Sequence, residues 1–159
     1  MKDNFESAVQ FALKAHRGQL DKGWTPYIQH LMGVWSQVRN QSLTTQIVAL
    51  LHDTIEDTDT VYSELETEFG EDVAKAIQVL THERGMKYEL YIDVIIASKN
   101  RHAILVKIAD LTDNSSTTRL QRLPETSRAY FEKRAAEKYG PARSKLLKAL
   151  EELDASSKS

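Results

Sequence analysis

Apolar residues recur every three or four positions along almost the whole chain, and very little interrupts them. Of 159 residues only 3 are proline and 6 glycine, so long helices meet few breakers. Phe5, Ala8, Val9, Ala12 and Leu13 form one stripe of a first helix. A loop follows over residues 16–26, punctuated by Gly18, Gly23 and Pro26. Further helices are predicted over residues 27–38, 43–53, 61–69, 72–82, 88–98 and 102–111. The second half of the 43–53 segment (Ile47, Val48, Ala49, Leu50, Leu51) is apolar on every side, which marks it as central and buried. The run AILVKIADL has four apolar residues in succession, but no strand partner lies nearby, so a buried helix is the better reading. Residues 54–60, rich in Thr and Asp, read as a turn ending in a helix cap, residues 83–87 as a loop, and residues 115–118 as exposed. Pro124 breaks the chain ahead of helices at 125–138 and 141–153, with Pro141 suited to a first helical position, and residues 154–159 are expected to fray. The prediction is an all-α fold, a compact bundle of about eight helices forming one domain over residues 1–153.

Several chemistries are excluded at once. Lys and Arg total 21 against 23 Asp and Glu, a net charge of −2, which is no basic field for broad nucleic-acid binding. It still allows a small anionic ligand held by a few local cations and a metal. The chain has no cysteine, so disulfides, zinc–thiolate sites and thiol catalysis are out. The first residues are amphipathic and lack a continuous apolar core, and no apolar run is long enough to span a membrane. The expectation is a cytoplasmic protein.

Against that apolar background the charged positions stand out. His52 and Asp53 close the most buried-looking helix, and Glu56 and Asp57 follow directly. Burying charge costs several kcal/mol unless it is paired or bound to metal, so the placement hints at function. Taken alone, a His-Asp pair at a helix end is more simply a solvated terminus with an acidic cap. His30, on a separate apolar helix after Pro26-Tyr27-Ile28, and Asp110, at the end of AILVKIAD, change the balance. Together the four make a set of two His and two Asp able to meet at one point in a helical bundle. Such donors suit Mn²⁺, Fe²⁺ or Zn²⁺ and leave coordination positions for water and substrate. A cation of this kind lowers the pKa of a bound water and polarises a phosphoryl oxygen. Were the helix to continue past Asp53, Glu56 would stand four residues from His52 and Asp57 four from Asp53, on roughly the same face, to orient the water or move protons.

In their flanking context these residues resemble the HD-type metal-dependent phosphohydrolases of the RelA/SpoT group, including the single-domain small alarmone hydrolases of the metazoan SpoT-homologue kind. The shared stretches are FALKAHRGQ, KGWTPYIQH, ALLHDTIEDT, EFGEDVAKAIQVLTH and VKIADLTDN, which run in family order across most of residues 5–114. The resemblance implies an HD-domain bundle with one divalent metal, usually Mn²⁺, on His30, His52, Asp53 and Asp110. It implies catalytic roles for Glu56 and Asp57, and nucleotide or phosphate contacts for Lys22, Asn114 and Thr117. The reaction implied is removal of the 3′-pyrophosphate from guanosine tetra- or pentaphosphate, the alarmones of the stringent response, to return GDP or GTP. The partner is then a small nucleotide, with neither nucleic acid nor membrane; a homodimer would be unsurprising, although no interface is readable.

The chain also departs from the pattern. The family's Arg-Lys pair in the first loop is Asp21-Lys22 here, its Arg after the last metal Asp is Leu111, and its His-Asn is Asp113-Asn114. An arginine grips phosphate in a fork and stacks on a base, and an aspartate reverses that charge. Arg17, Arg119 and Arg122 are the candidate substitutes. The departures keep two alternatives open: the same centre acting on another nucleotide, such as the 2′-phosphate of NADPH or a toxin-made nucleotide, or a low-turnover nucleotide-binding regulator. His16 reads as a loop-fixing hydrogen-bonding residue, His82 and His102 as surface or solvated, and Trp24 as a packed loop aromatic rather than a base-stacking one. Tyr130 and Tyr139 read as packing residues, and the cations of 128–148, matched by Glu125, Glu132 and Glu137, as a solvated helical face.

Overall fold

The computed structural model describes residues 5–157. In chain order the helices are α1 (Phe5–Ala15), α2 (Ile28–Val38), α3 (Leu43–Leu51), α4 (Thr54–Asp57), α5 (Tyr62–Phe69), α6 (Glu71–Leu80), α7 (Tyr88–Ala97), α8 (Arg101–Asn114), α9 (Thr117–Gln121), α10 (Glu125–Arg134) and α11 (Gly140–Ser156). A π-helical turn, Ala135–Tyr139, joins the last two. The expected helical segments are all present. Two short helices add to them: α4 within the Thr-rich turn and α9 within the polar stretch after α8. The only bridge among the described residues is an antiparallel one, Leu20 to Pro26, which closes the first loop. The fold is all-α.

Two differences concern the C-terminal third. Helices expected to be separate at 125–138 and 141–153 are continuous through the π-helical turn, with Pro141 in the first turn of α11, where its missing N–H costs no hydrogen bond. Residues 154–156, expected to fray, extend α11. Arg101 ties them down, its Nε donating to Asp154 Oδ1 at 2.7 Å and its Nη2 to Oδ2 at 3.2 Å. Positions 158–159 of the expected tail lie outside the described residues.

The core forms around α3 and α8. α3 packs on α1, α2, α6 and α8, while α8 packs on α2, α3, α6 and α11. Val48, Ala49, Leu50 and Leu51 have no exposed surface, and Ala103, Ile104 and Val106 of α8 face them from the same core. Each fully buried Leu or Ile contributes about 1.5–3 kcal/mol, so this pair of helices is the most costly part of the molecule to disturb. Both begin on a side-chain cap: Ser42 accepts from the Thr45 N–H, and Asn100 from the Ala103 N–H. Between α5 and α6 the chain turns at Gly70 with φ of 90°, a left-handed backbone that favours glycine. No described helix is long and apolar enough to cross a membrane. Because α2, α3 and α8 meet in the core, a polar residue near the end of each meets the others there.

Candidate active site

α3 stops at Leu51, α4 starts at Thr54, and His52 and Asp53 occupy the corner. The backbone at Asp53 leaves the helix, with φ −98° and ψ 0°, so Glu56 and Asp57 ride on a separate turn rather than on a continuing helix. Thr54 Oγ1 donates to the Leu51 carbonyl at 2.7 Å and holds the bend. His52 is buried, and its Nδ1 lies 2.8 Å from the Ala49 carbonyl. A carbonyl only accepts, so Nδ1 carries a proton, and Nε2 is the inward-facing nitrogen that offers a lone pair once deprotonated.

His30 from α2 and Asp110 from α8 reach the same point. His52 Nε2 lies 3.1 Å from Asp53 Oδ2 and 3.7 Å from Asp110 Oδ1, and His30 Nε2 lies 3.6 Å and 3.2 Å from the same two oxygens. One donor atom from each of His30, His52 and Asp53 falls within 4.8 Å of the other two. Asp110 Oδ1 faces both imidazoles and closes the group. Despite the short distance to Asp53, His52 Nε2 has no hydrogen-bond partner of acceptable geometry among the described residues and no exposed surface. An unpartnered imidazole nitrogen among two carboxylates and a second imidazole is the chemistry of a divalent-metal site, and the residues present fit one.

A second set of residues holds these four in place. His30 Nδ1 donates to Asp113 Oδ2 at 2.7 Å, the carboxylate–histidine arrangement that fixes a ligand's tautomer and ring orientation. Asp110 is pinned on both oxygens, by Asn114 Nδ2 at 2.6 Å and by Lys107 Nζ at 2.8 Å. The Tyr27 hydroxyl lies 2.6 Å from Asp53 Oδ2 and 3.1 Å from Asp57 Oδ2, and its single proton serves the nearer. Arg119 bonds Asp113 Oδ2 through Nη1 at 2.8 Å and faces Asp21 at 3.7 Å. Asp21 in turn accepts from the N–H groups of Gly23 and Thr25. A chain of contacts thus runs from a metal-site histidine to the first loop.

Asp113 fits beside α2 only because position 33 is glycine: a Cβ there would stand 2.3 Å from Asp113 Oδ1. Glycine inside a helix is about 0.5–1 kcal/mol worse than alanine, so the clearance is what it provides. Gly33→Ala is expected to push Asp113 off His30 and weaken divalent-metal binding about 10–100-fold with helical content kept. Competition against a fluorescent chelator measures this, and an unchanged affinity would show that His30 does not depend on Asp113.

The four residues line one side of a cavity of about 400 Å³, except His52, which lies behind its surface. Burial pushes His30 down, but the hydrogen-bonded carboxylates of Asp110, Asp113 and Asp53 outweigh it and hold the imidazole up at about 9. His52 is likewise raised against its burial, chiefly by Asp53, while Asp53 and Asp110 are held well below the usual carboxylate range by His52 and Lys107 respectively. Glu56 and Asp57 go the other way. Burial, reinforced by the Asp53 charge, pushes both carboxyls up, although the His82 N–H bonded to Glu56 and the Tyr27 hydroxyl near Asp57 oppose it.

The sequence-derived substrate contacts fare unevenly. Lys22 lines the cavity with its ammonium over the Phe131 ring, 4.7 Å from the centroid. Asn114 lines it too, but its amide is already spent on Asp110. Thr117 is exposed at the start of α9 and does not line the cavity, because α9 turns the chain outward after Ser116. Of the candidate substitute arginines only Arg119 lines the cavity, and two acids engage it. His16 bonds Gln19 at 2.8 Å and stacks on Tyr27. His82, expected at the surface, lines the cavity, stacks on Tyr91 and bonds the Met86 carbonyl at 2.8 Å. His102, expected to be solvated, bonds Thr45 Oγ1 at 2.8 Å between α8 and α3. Trp24, expected to pack, is 75% exposed.

Sequence reasoning missed Tyr27 and Lys107 as site residues. Both sit three positions before a ligand candidate (His30 and Asp110), the helical spacing that puts side chains on one face, and that spacing was the available signal. It also missed Phe131, Arg134 and Tyr139, which line the cavity from the C-terminal helices.

The HD-domain family profile matches residues 8–103. A guanosine-3′,5′-bis(diphosphate) 3′-pyrophosphohydrolase from Aquifex aeolicus is 36% identical over 147 residues, covering 87% of this chain and 21% of its own length. The zebrafish (Danio rerio) protein of that name, MESH1, is 42% identical over 84 residues, covering 49% of this chain and 47% of its own; human MESH1 is 40% identical over 85 residues, covering 50% and 48%. The chain therefore spans about a fifth of the first relative and about half of the others. A solved structure of a metazoan orthologue of SpoT, described as hydrolysing ppGpp, superposes with a TM-score of 0.68 over 99% of this chain and 96% of that one. At 24% identity that likeness is one of fold.

Proposed function

The chain belongs to the HD-domain family, and from that premise we propose that it is a Mn²⁺-dependent guanosine-3′,5′-bis(diphosphate) 3′-pyrophosphohydrolase, working in the cytoplasm as a small-molecule enzyme. The observation that carries the reading is the convergence of two buried imidazoles and two carboxylates around the unpartnered His52 Nε2, with Glu56 and Asp57 on the next turn. The names borne by relatives at 36–42% identity support the choice of substrate.

In this reading His30, His52, Asp53 and Asp110 hold the cation, which supplies an activated water near neutral pH and a Lewis acid for the phosphoryl oxygen. Glu56 and Asp57, on the next turn, would orient an attacking water and accept a proton from it; their raised pKa makes them stronger bases than ordinary carboxylates. Tyr27 orients Asp53 and sits within reach of Asp57, so one hydroxyl fixes a ligand and a base relative to each other. Lys107 and Asn114 fix Asp110 on both oxygens and keep it facing the imidazoles. Lys22, exposed and free of any acid partner among the described residues, offsets phosphate charge at the cavity mouth.

Anion-exchange chromatography of guanosine tetraphosphate incubated with protein and Mn²⁺ tests the proposal. GDP and pyrophosphate should appear, and a chelator should stop them. Intact tetraphosphate alongside turnover of a 2′- or 3′-phosphorylated dinucleotide would move the substrate elsewhere within the same chemistry.

A further inference from the structure

One wall of the cavity goes unused in the chemistry above. α10 and the π-helical turn bring Phe131, Arg134 and Tyr139 into it. π-helical turns within longer helices are frequent at functional sites, and here the turn carries Tyr139 to Arg134. Arg134 Nε donates to Tyr139 Oη at 2.8 Å and Nη1 donates to Tyr130 Oη at 3.2 Å, while the guanidinium lies 5.5 Å from the centroid of the Tyr139 ring. Two phenols thus fix the fork without neutralising it, and among the described residues no carboxylate pairs with Arg134 and Nη2 has no protein partner. Arg101 and Arg119, by contrast, are both paired with acids.

Other groups share this wall. Phe131 stands three residues before Arg134 on the same helix face, and Lys22 from the first loop lies over its ring. Lys138, which does not itself line the cavity, lies 4.0 Å from the centroid of the Tyr88 ring that does. The Tyr88 hydroxyl is buried in the cavity lining without a hydrogen-bond partner among the described residues. The cavity therefore has an acidic, metal-binding side and a cationic, aromatic side. A ligand that fills it has one phosphoryl group for the first and negative charge with a flat ring for the second.

We propose that Arg134, held by Tyr130 and Tyr139, together with Lys22 over Phe131, binds the 5′-phosphoryl end of the nucleotide. The N–H groups left over, both on Nη2 and the second on Nη1, are donors suited to phosphate oxygens. The assignment also accounts for the cation missing from position 21. Asp21 lines the cavity, but its side chain is only 8% exposed and its oxygens are engaged by the Gly23 and Thr25 N–H groups and faced by Arg119, so its charge is offset within the loop. The positive charge the first loop gives up comes back from α10. This inference rests on the phosphohydrolase reading for the orientation of the nucleotide, with the 3′ group at the metal side.

Calorimetric titration of the chelator-treated protein with GDP and with guanosine separates the two ideas, because neither probe can be hydrolysed. The wild-type protein should bind GDP more tightly than guanosine. Arg134→Gln should lose GDP affinity about 10–100-fold while guanosine binding stays the same, with Arg134→Lys in between. On guanosine tetraphosphate the Arg134→Gln change should appear in KM with kcat nearly kept. Equal losses for GDP and guanosine, or wild-type GDP binding no tighter than guanosine, would overturn the subsite. Charge-dependent GDP binding by a protein that leaves the tetraphosphate intact would instead overturn the substrate assignment and keep the subsite.

Discussion

Asp53→Ala is expected to lose at least about 10³-fold in hydrolysis at saturating Mn²⁺ while keeping its helical circular-dichroism spectrum. The loss follows from three roles that meet on one carboxylate. Asp53 Oδ2 sits 3.1 Å from His52 Nε2 and 3.6 Å from His30 Nε2, so its removal takes a donor and a negative charge from the cation site. It also accepts the Tyr27 proton, and without it Tyr27 turns to Asp57, lowering that carboxylate's capacity as a base. A cation's contribution to the transition state is worth several kcal/mol, and each 1.36 kcal/mol is tenfold in rate. The fold should survive because the Asp53 side chain caps nothing: α4 starts without a side-chain cap bond, and the corner is held by Thr54 and the Leu51 carbonyl. Asp53→Asn keeps the shape and an acceptor for Tyr27 but not the charge, so similar losses in both variants assign the effect to the charge. Turnover retained in a metal-loaded Asp53→Ala protein would remove Asp53 from the site.

How much of this site the sequence reveals depends on where the information lies along the chain. His52, Asp53 and Asp110 are legible because a charge at the end of an apolar helix is costly, and that cost shows in one dimension. His30 is legible for the same reason. The supporting residues are harder to read. Asp113 looked like a lost family residue, yet it accepts a hydrogen bond from His30 and depends on Gly33, eighty positions away, for room. Asp21 looked like a reversed charge facing the substrate, but its oxygens are used by its own loop and by Arg119. Arg134 was the least legible. It sits in a helix of low amphipathicity among Lys and Glu residues that do form exposed i,i+4 pairs, such as Lys133 with Glu137. Only the packing of α10 over the cavity mouth distinguishes it from its solvated neighbours. Periodicity finds helices and their buried faces, but it carries no signal for which exposed face closes over a site built more than twenty residues earlier.

Raising the pH should weaken the metal-free protein and strengthen its hold on Mn²⁺. Without metal, the imidazole of His30 is stabilised as its cation between carboxylates and titrates near 9, against 6.5 when unfolded; His52 shifts the same way. A raised folded-state pKa adds stability that is complete below the unfolded value and is lost as pH climbs through the folded one. For His30 that amounts to roughly 3 kcal/mol, disappearing between about pH 6.5 and 9. Asp53 and Asp110 act in the opposite sense: their depressed values add stability above about pH 4 that is lost in stronger acid. The chelated protein should therefore melt highest between about pH 4 and 6.5 and fall steadily towards pH 9. Mn²⁺ binds the neutral imidazole, so it must expel the proton that His30 holds over the same interval. Its apparent affinity should then rise about tenfold per pH unit for each proton displaced, at least about 100-fold from pH 6 to 8, and the Mn²⁺-loaded melting temperature should hold level where the metal-free one drops, because the gain in affinity offsets the stability lost with the imidazolium. Thermal melts with chelator and with Mn²⁺ at pH 5.5, 7.0 and 8.5 read both trends. Calorimetric titrations in two buffers of different ionisation enthalpy count the protons released. Melting of the chelated protein that holds constant or rises from pH 6.5 to 8.5 would mean that the two imidazoles are neutral in the metal-free site, and the carboxylates around them would then need another counter-charge.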